Sequence, residues 1–168
     1  MENASELLIS NRDGVYVIRV SGRATFECAP PLRNLAKSLE QTSFSEINVD
    51  LSACSWMDST FMGILAMLGL RAKKINAVMN ICNAGEQNRN LLYGLGLKKL
   101  FCFVDGPVSD PGSGSAWNDG AENSQPSAQT VLDAHKTLMD VDEQNVKKFE
   151  RVVDMVQKDI DRLNQEKN

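Results

Sequence analysis

Histidine is almost missing from this chain: its 168 residues contain one, His135. It lies far along the chain from the best-patterned segment, so Ser–His–Asp and Cys–His catalysis have no histidine base there. Read as one side of a surface helix, His135 is expected to be solvated. Glycine-rich phosphate loops of the G-x-x-x-x-G-K-[ST] or G-x-G-x-x-G kind are also missing, as is any clustered metal-ligand spacing, so no cofactor and no metal is expected. The four cysteines (Cys28, Cys54, Cys82, Cys102) stand singly, with no Cys-x-x-Cys pair. They read as buried thiols of a reducing cytoplasm. No apolar run approaches the ~20 residues that span a bilayer. The opening "MENASELLIS" lacks the basic start and apolar core of a signal peptide, so the expected location is cytoplasmic, without membrane insertion. A net charge of −4 disfavours nucleic acid as a partner.

What is present divides the chain in three. Residues 1–106 alternate between two periodicities. "SELLISNRDGVYVIRVSG" reads as a hairpin around Asp13-Gly14. A helical pattern opens at Pro30 and Pro31, which the first turn tolerates. "EINVDLS" follows as a strand ending near Ser52, then a loop "ACSWM", a helix from Asp58, the strand "AVMNIC", a helix ending at the "GLGL" glycines, and the strand "LFCFV". That alternation predicts an α/β domain with a mixed, mostly parallel β-sheet, an N-terminal hairpin at its edge and helices on one face. Residues 107–128, rich in Gly, Pro, Ser and Asn, read as a flexible linker. Residues 129–168 read as one amphipathic C-terminal helix. In it Val146, Phe149, Val153, Val156, Ile160 and Leu163 form a short heptad seam suited to packing on its own domain, to self-association or to docking a partner. Residues 1–106 carry 11 basic and 10 acidic side chains and residues 107–168 carry 7 and 12, so the negative charge resides in the tail.

The most unusual stretch is "DLSACSWMDSTFMGILAMLGL". Between Asp58 and Arg71 lie twelve residues without a charge. Asp58 is expected to N-cap the helix, its carboxylate accepting backbone N–H bonds and favoured by the dipole. Ser59 and Thr60 then fall in the first turn. They are either part of an ordinary cap cluster or a phosphorylation site whose added charge the helix N-terminus tolerates and an apolar partner does not. Phe61, Ile64, Leu65 and Leu68 share a face for covering the sheet. Phe61, Met62, Ala66 and Met67 are assigned to a partner-binding patch, in part exposed.

These residues resemble the signature of the STAS domain, the fold of bacterial anti-sigma factor antagonists. "VDLSACSWMDSTFMGIL" is similar to its strand, apolar loop, Asp-Ser-Ser/Thr and glycine-containing helix. "VIRVSGRATFECAPPLRNLAKSL" and "NICNAGEQNRNLLYGLGLKKLF" extend the resemblance over about residues 5 to 105. The resemblance implies a non-enzymatic switch with Ser59 as phosphoacceptor, Asp58 as supporting cap and Thr60 as a second acceptor candidate. A serine kinase anti-sigma factor would phosphorylate Ser59 and a metal-dependent serine phosphatase would restore it. The unphosphorylated form would bind the kinase and free a sigma factor. The alternative is a non-phosphorylated adaptor in a transport or signalling assembly. Two departures stand out. Phe61 occupies a position where many members have glycine, and "RATF", with Thr25 as a cap, replaces an acidic residue.

Overall fold

The computed structural model describes residues 5–108 and 127–166. Most of the expected linker lies outside the described residues. Five strands form one sheet in the order β1-β2-β3-β4-β5. They are β1 (Glu6–Arg12), β2 (Val15–Ala24), β3 (Glu46–Met57), β4 (Val78–Cys82) and β5 (Cys102–Val104). β1 and β2 pair antiparallel through the Asp13-Gly14 turn, where both residues take positive φ (52° and 85°), as a two-residue I′ turn requires. The remaining pairs are parallel. The mixed sheet with an antiparallel edge is the architecture that the alternation predicts.

The crossovers are α1 (Ala29–Ser38), α2 (Ser59–Lys74) and α3 (Glu86–Gly94). α3 closes in a Schellman motif. Gly96, at φ 74°, donates to the Tyr93 carbonyl (3.0 Å) and Leu97 to that of Leu92 (3.1 Å), so "GLGL" is a helix stop. A 3₁₀ turn at Lys98–Leu100 leads into β5.

Alternation along β3 buries Ile47, Val49 and Leu51, which join Ile18 and Val20 of β2 beneath Ile64, Leu65 and Leu68 of α2 in one apolar core. α2 is apolar nearly all round, with ten of its sixteen residues buried, and such a helix is covered on both sides. Its sheet side contains Phe61, which is fully buried.

Its other side is covered by α4 (Ala128–Val141), which is followed by α5 (Gln144–Glu166). The single helix expected over 129–168 is thus divided. Asp142 leaves the helix (φ −146°, ψ 124°) and its Oδ1 accepts from Gln144 N–H at 2.9 Å, so an N-capping aspartate breaks a segment that has neither Gly nor Pro. α4 packs along α2 and against α5. Phe149 of the heptad seam packs on the core, while Met155 and Leu163 are exposed.

Two further expectations are revised. β3 does not end near Ser52: it runs on through "ACSWM" to Met57, because β2 continues beside it as far as Ala24 with register shifts at Arg19/Ser21 and Gly22/Arg23. Nor are all four cysteines buried. Cys54 and Cys82 are, Cys28 is half-buried and Cys102 is exposed, and all four are free thiols.

Leu65 of α2 has no exposed surface and belongs to the core. Leu65→Ala is expected to lower the free energy of unfolding by about 2–5 kcal/mol in urea titrations, with the m-value unchanged.

Candidate functional site at the mouth of helix α2

The extended β3 delivers Asp58 to the start of α2, and Asp58 uses every polar group it has. Its backbone N–H donates to the Ala24 carbonyl at 2.9 Å. Carboxylate Oδ1 accepts from Phe61 N–H and Oδ2 from Phe26 N–H, each at 2.8 Å. One side chain therefore caps the helix and fixes the loop between β2 and α1. Thr25, expected as a cap for α1, is not one. Its Oγ1 accepts from Glu27 N–H at 3.3 Å, while α1 starts after Cys28 without a side-chain cap.

Ser59 is the first residue of α2 and is half-buried; Thr60 is buried. The half-burial of Ser59 has a specific cause. Its Oγ lies 2.8 Å from Nε2 of His135 on α4. His135 Nδ1 is 2.7 Å from the carbonyl of Val131, which is only an acceptor, so Nδ1 carries the proton and Nε2 accepts from the Ser59 hydroxyl. The ring also meets Phe149 of α5 edge-on, with centroids 4.9 Å apart. The expectation of a solvated His135 is thus wrong: it is 4% exposed. The signal lay in the spacing Val131, Ala134, His135, Leu138, an i, i+3, i+4, i+7 stripe that places the histidine on the packed side of its helix.

One turn beyond Ser59, α4 approaches α2 at Gly63. A Cβ there would stand 2.7 Å from both the carbonyl carbon and the Cβ of Ala134, so glycine is required for the close approach. The hairpin is held elsewhere by polar contacts. Arg33 of α1 pairs with Asp133 at 2.7 Å. Asn145 Nδ2 donates to the carbonyls of Leu95 and Leu138, and Lys148 Nζ to that of Gly94. The last two side chains reach carbonyls at the end of α3, where a helix leaves acceptors unpaired.

The exposed partner patch is corrected accordingly. Phe61, Met62 and Ala66 are buried and Met67 is half-buried, Phe61 in the sheet core and the helix's other side under α4. Phe26, whose backbone Asp58 holds, is instead an exposed aromatic at this mouth, and sequence periodicity gave no signal for it.

Nucleophilic chemistry has little support in this geometry. The partner of His135 Nδ1 is a peptide carbonyl, not a carboxylate. Two clefts of about 560 and 570 Å³ lie elsewhere: one by Arg12, Glu46 and Cys82, the other by Met67, Leu70 and Thr137 between α1, α2 and α4. Burial pushes the Cys28 and Cys54 thiols up, and burial with Asp50 and Glu46 nearby pushes Cys82 to about 11, so these remain thiols rather than reactive thiolates. Among the described residues no group of three or more His, Cys, Asp and Glu is placed to hold a metal ion, and no helix is long and apolar enough to cross a membrane.

Residues 6–110 match the model of the STAS domain. The chain belongs to the STAS domain family. Solved structures of anti-sigma factor antagonists are similar to it. SpoIIAA, an anti-sigma factor antagonist, superposes in its unphosphorylated form with a TM-score of 0.50 at 17% identity, over 62% of this chain and 89% of that one. The Bacillus cell fate determinant SpoIIAA in its phosphorylated form gives 0.51 at 18% identity, over 62% and 92%. An anti-sigma factor antagonist from Mycobacterium paratuberculosis aligns at 24% identity with a TM-score of 0.49, over 62% and 90%. Comparison with curated protein sequences returned no match. The family match ends before α4 and α5.

Asp58→Ala removes a cap and leaves Phe26 N–H without its acceptor, for an expected loss of about 2 kcal/mol in chemical denaturation. His135 supplies a pH test. Burial holds its pKa below 6.5, outweighing the bond to Val131 and the nearby Asp58 charge, both of which raise it. The unfolded chain then takes up this proton more readily than the folded one. The contribution of the neutral ring is complete above the unfolded pKa and is lost as pH falls toward the folded one. The urea midpoint should drop between about pH 7.5 and 5.5, and His135→Gln should flatten that drop.

Proposed function

We propose that this protein is a phosphorylation-controlled binding switch of the anti-sigma factor antagonist type, not an enzyme, with Ser59 as the phosphoacceptor. Unmodified, it binds a serine kinase anti-sigma factor and frees a sigma factor; the kinase phosphorylates Ser59, and a metal-dependent serine phosphatase reverses the step. The observation that carries the reading is the position of Ser59 as the first residue of α2, directly after the Asp58 cap. A phosphate there meets the positive end of a helix dipole, so the fold tolerates it. The same charge opposes any apolar or acidic surface docked across the mouth. SpoIIAA, similar in fold, is known in both unphosphorylated and phosphorylated forms.

The test is phosphopeptide mapping of the full chain after incubation with ATP and serine kinases of its own organism. A single phosphoryl group is expected on Ser59, absent from Ser59→Ala. Ser59→Asp is expected to weaken kinase binding at least tenfold in a titration. A Ser59 that takes no phosphate, together with unchanged binding by Ser59→Asp, would overturn the reading.

A further inference from the structure

The α2 face beside Ser59 is not bare, and what covers it belongs to the same chain. We propose that the α4–α5 hairpin is a displaceable internal occupant of the protein-docking face of α2. The partner that takes its place is a helix of α4's design, with a small residue crossing at Gly63 and a hydrogen-bonding side chain over Ser59. The inference rests on the reading of Ser59 as the switch residue and adds what regulates access to it.

Three observations carry it. First, the hairpin lies outside residues 6–110, the residues that match the STAS model. Second, its buried face sets polar side chains among the apolar Leu132, Ala134 and Leu138. Thr130, His135 and Asn145 are buried in it, Arg33 and Asp133 pair across it, and Asn145 Oδ1 is buried without a hydrogen-bond partner. The polar groups of such a contact exchange their partners for water when it opens, which lowers the cost of opening. Third, the contact is centred on the modifiable hydroxyl. Nε2 of His135 stands 2.8 Å from Ser59 Oγ, where the oxygens of a phosphoryl group would have to go. The buried ring of His135 fills the volume those oxygens need, so the group and the packed hairpin exclude each other there. The hairpin and a kinase therefore compete for one surface, and an anion at Ser59 disfavours both.

Hydrogen exchange on the full chain, without kinase or partner, tests this. In wild-type protein, the amides of 128–166 should exchange in low urea through an opening with a smaller urea dependence than that of β2 and β3. Ser59→Glu should accelerate exchange in α4 and α5 more than tenfold and leave the strands unchanged. Gly63→Ala should do the same by a different route, since the new methyl meets the Ala134 backbone while alanine favours α2 itself. Exchange of the hairpin only together with the strands in the wild type, or unaltered hairpin protection in both variants, would overturn the proposal. Because no kinase enters, that failure is distinct from failure of Ser59 to accept phosphate, which would leave release by Gly63→Ala intact.

Discussion

Everything at the functional end of this molecule hangs on the Asp58 carboxylate, whose two oxygens hold two different parts of the backbone. Oδ1 closes the first turn of α2 and Oδ2 holds the loop before α1, while the Asp58 N–H ties β3 to the end of β2. A strand end, a loop and a helix mouth are thereby locked around one side chain. Serine in the next position inherits a fixed location without forming any of these bonds. The neighbour does the holding, and the Ser59 hydroxyl is left to bond Nε2 of His135.

The helix that follows has two apolar faces with different duties. The face carrying Phe61, Ile64, Leu65 and Leu68 is committed to the sheet. The face of Ser59 and Gly63 meets α4 through a hydrogen bond and a close backbone approach. A phenylalanine just after the Asp-Ser-Thr triplet therefore does not obstruct the mouth, because it points into the core. That resolves the departure from the family pattern: the bulk is absorbed inside, not presented to a partner.

Much of this was legible in the sequence because it rests on local rules. Asp13-Gly14 specified the hairpin, strand–helix alternation the parallel sheet, and an aspartate before an apolar run the N-cap. What escaped depends on distant pairing. β3 outlasts its clean alternation because β2 runs beside it through bulges that no local pattern marks. The tail's break at Asp142 was readable in principle, since aspartate is a favoured cap, but the continuous absence of Gly and Pro argued for a single helix. His135 was misjudged because sequence distance was taken for spatial distance. It lies 76 residues from Ser59 along the chain and one hydrogen bond away in space.

The proposed competition between the tethered hairpin and an outside helix has a consequence for dosage. A competitor supplied by another molecule covers its target in proportion to its own abundance, but a tethered one has an effective concentration fixed by chain geometry. Making more or less of this protein leaves the covered fraction of each copy unchanged. The apparent affinity for an outside helix is scaled by the uncovered fraction alone. On that proposal, sensitivity is a property encoded in α4 and α5, adjusted by substitutions within the hairpin.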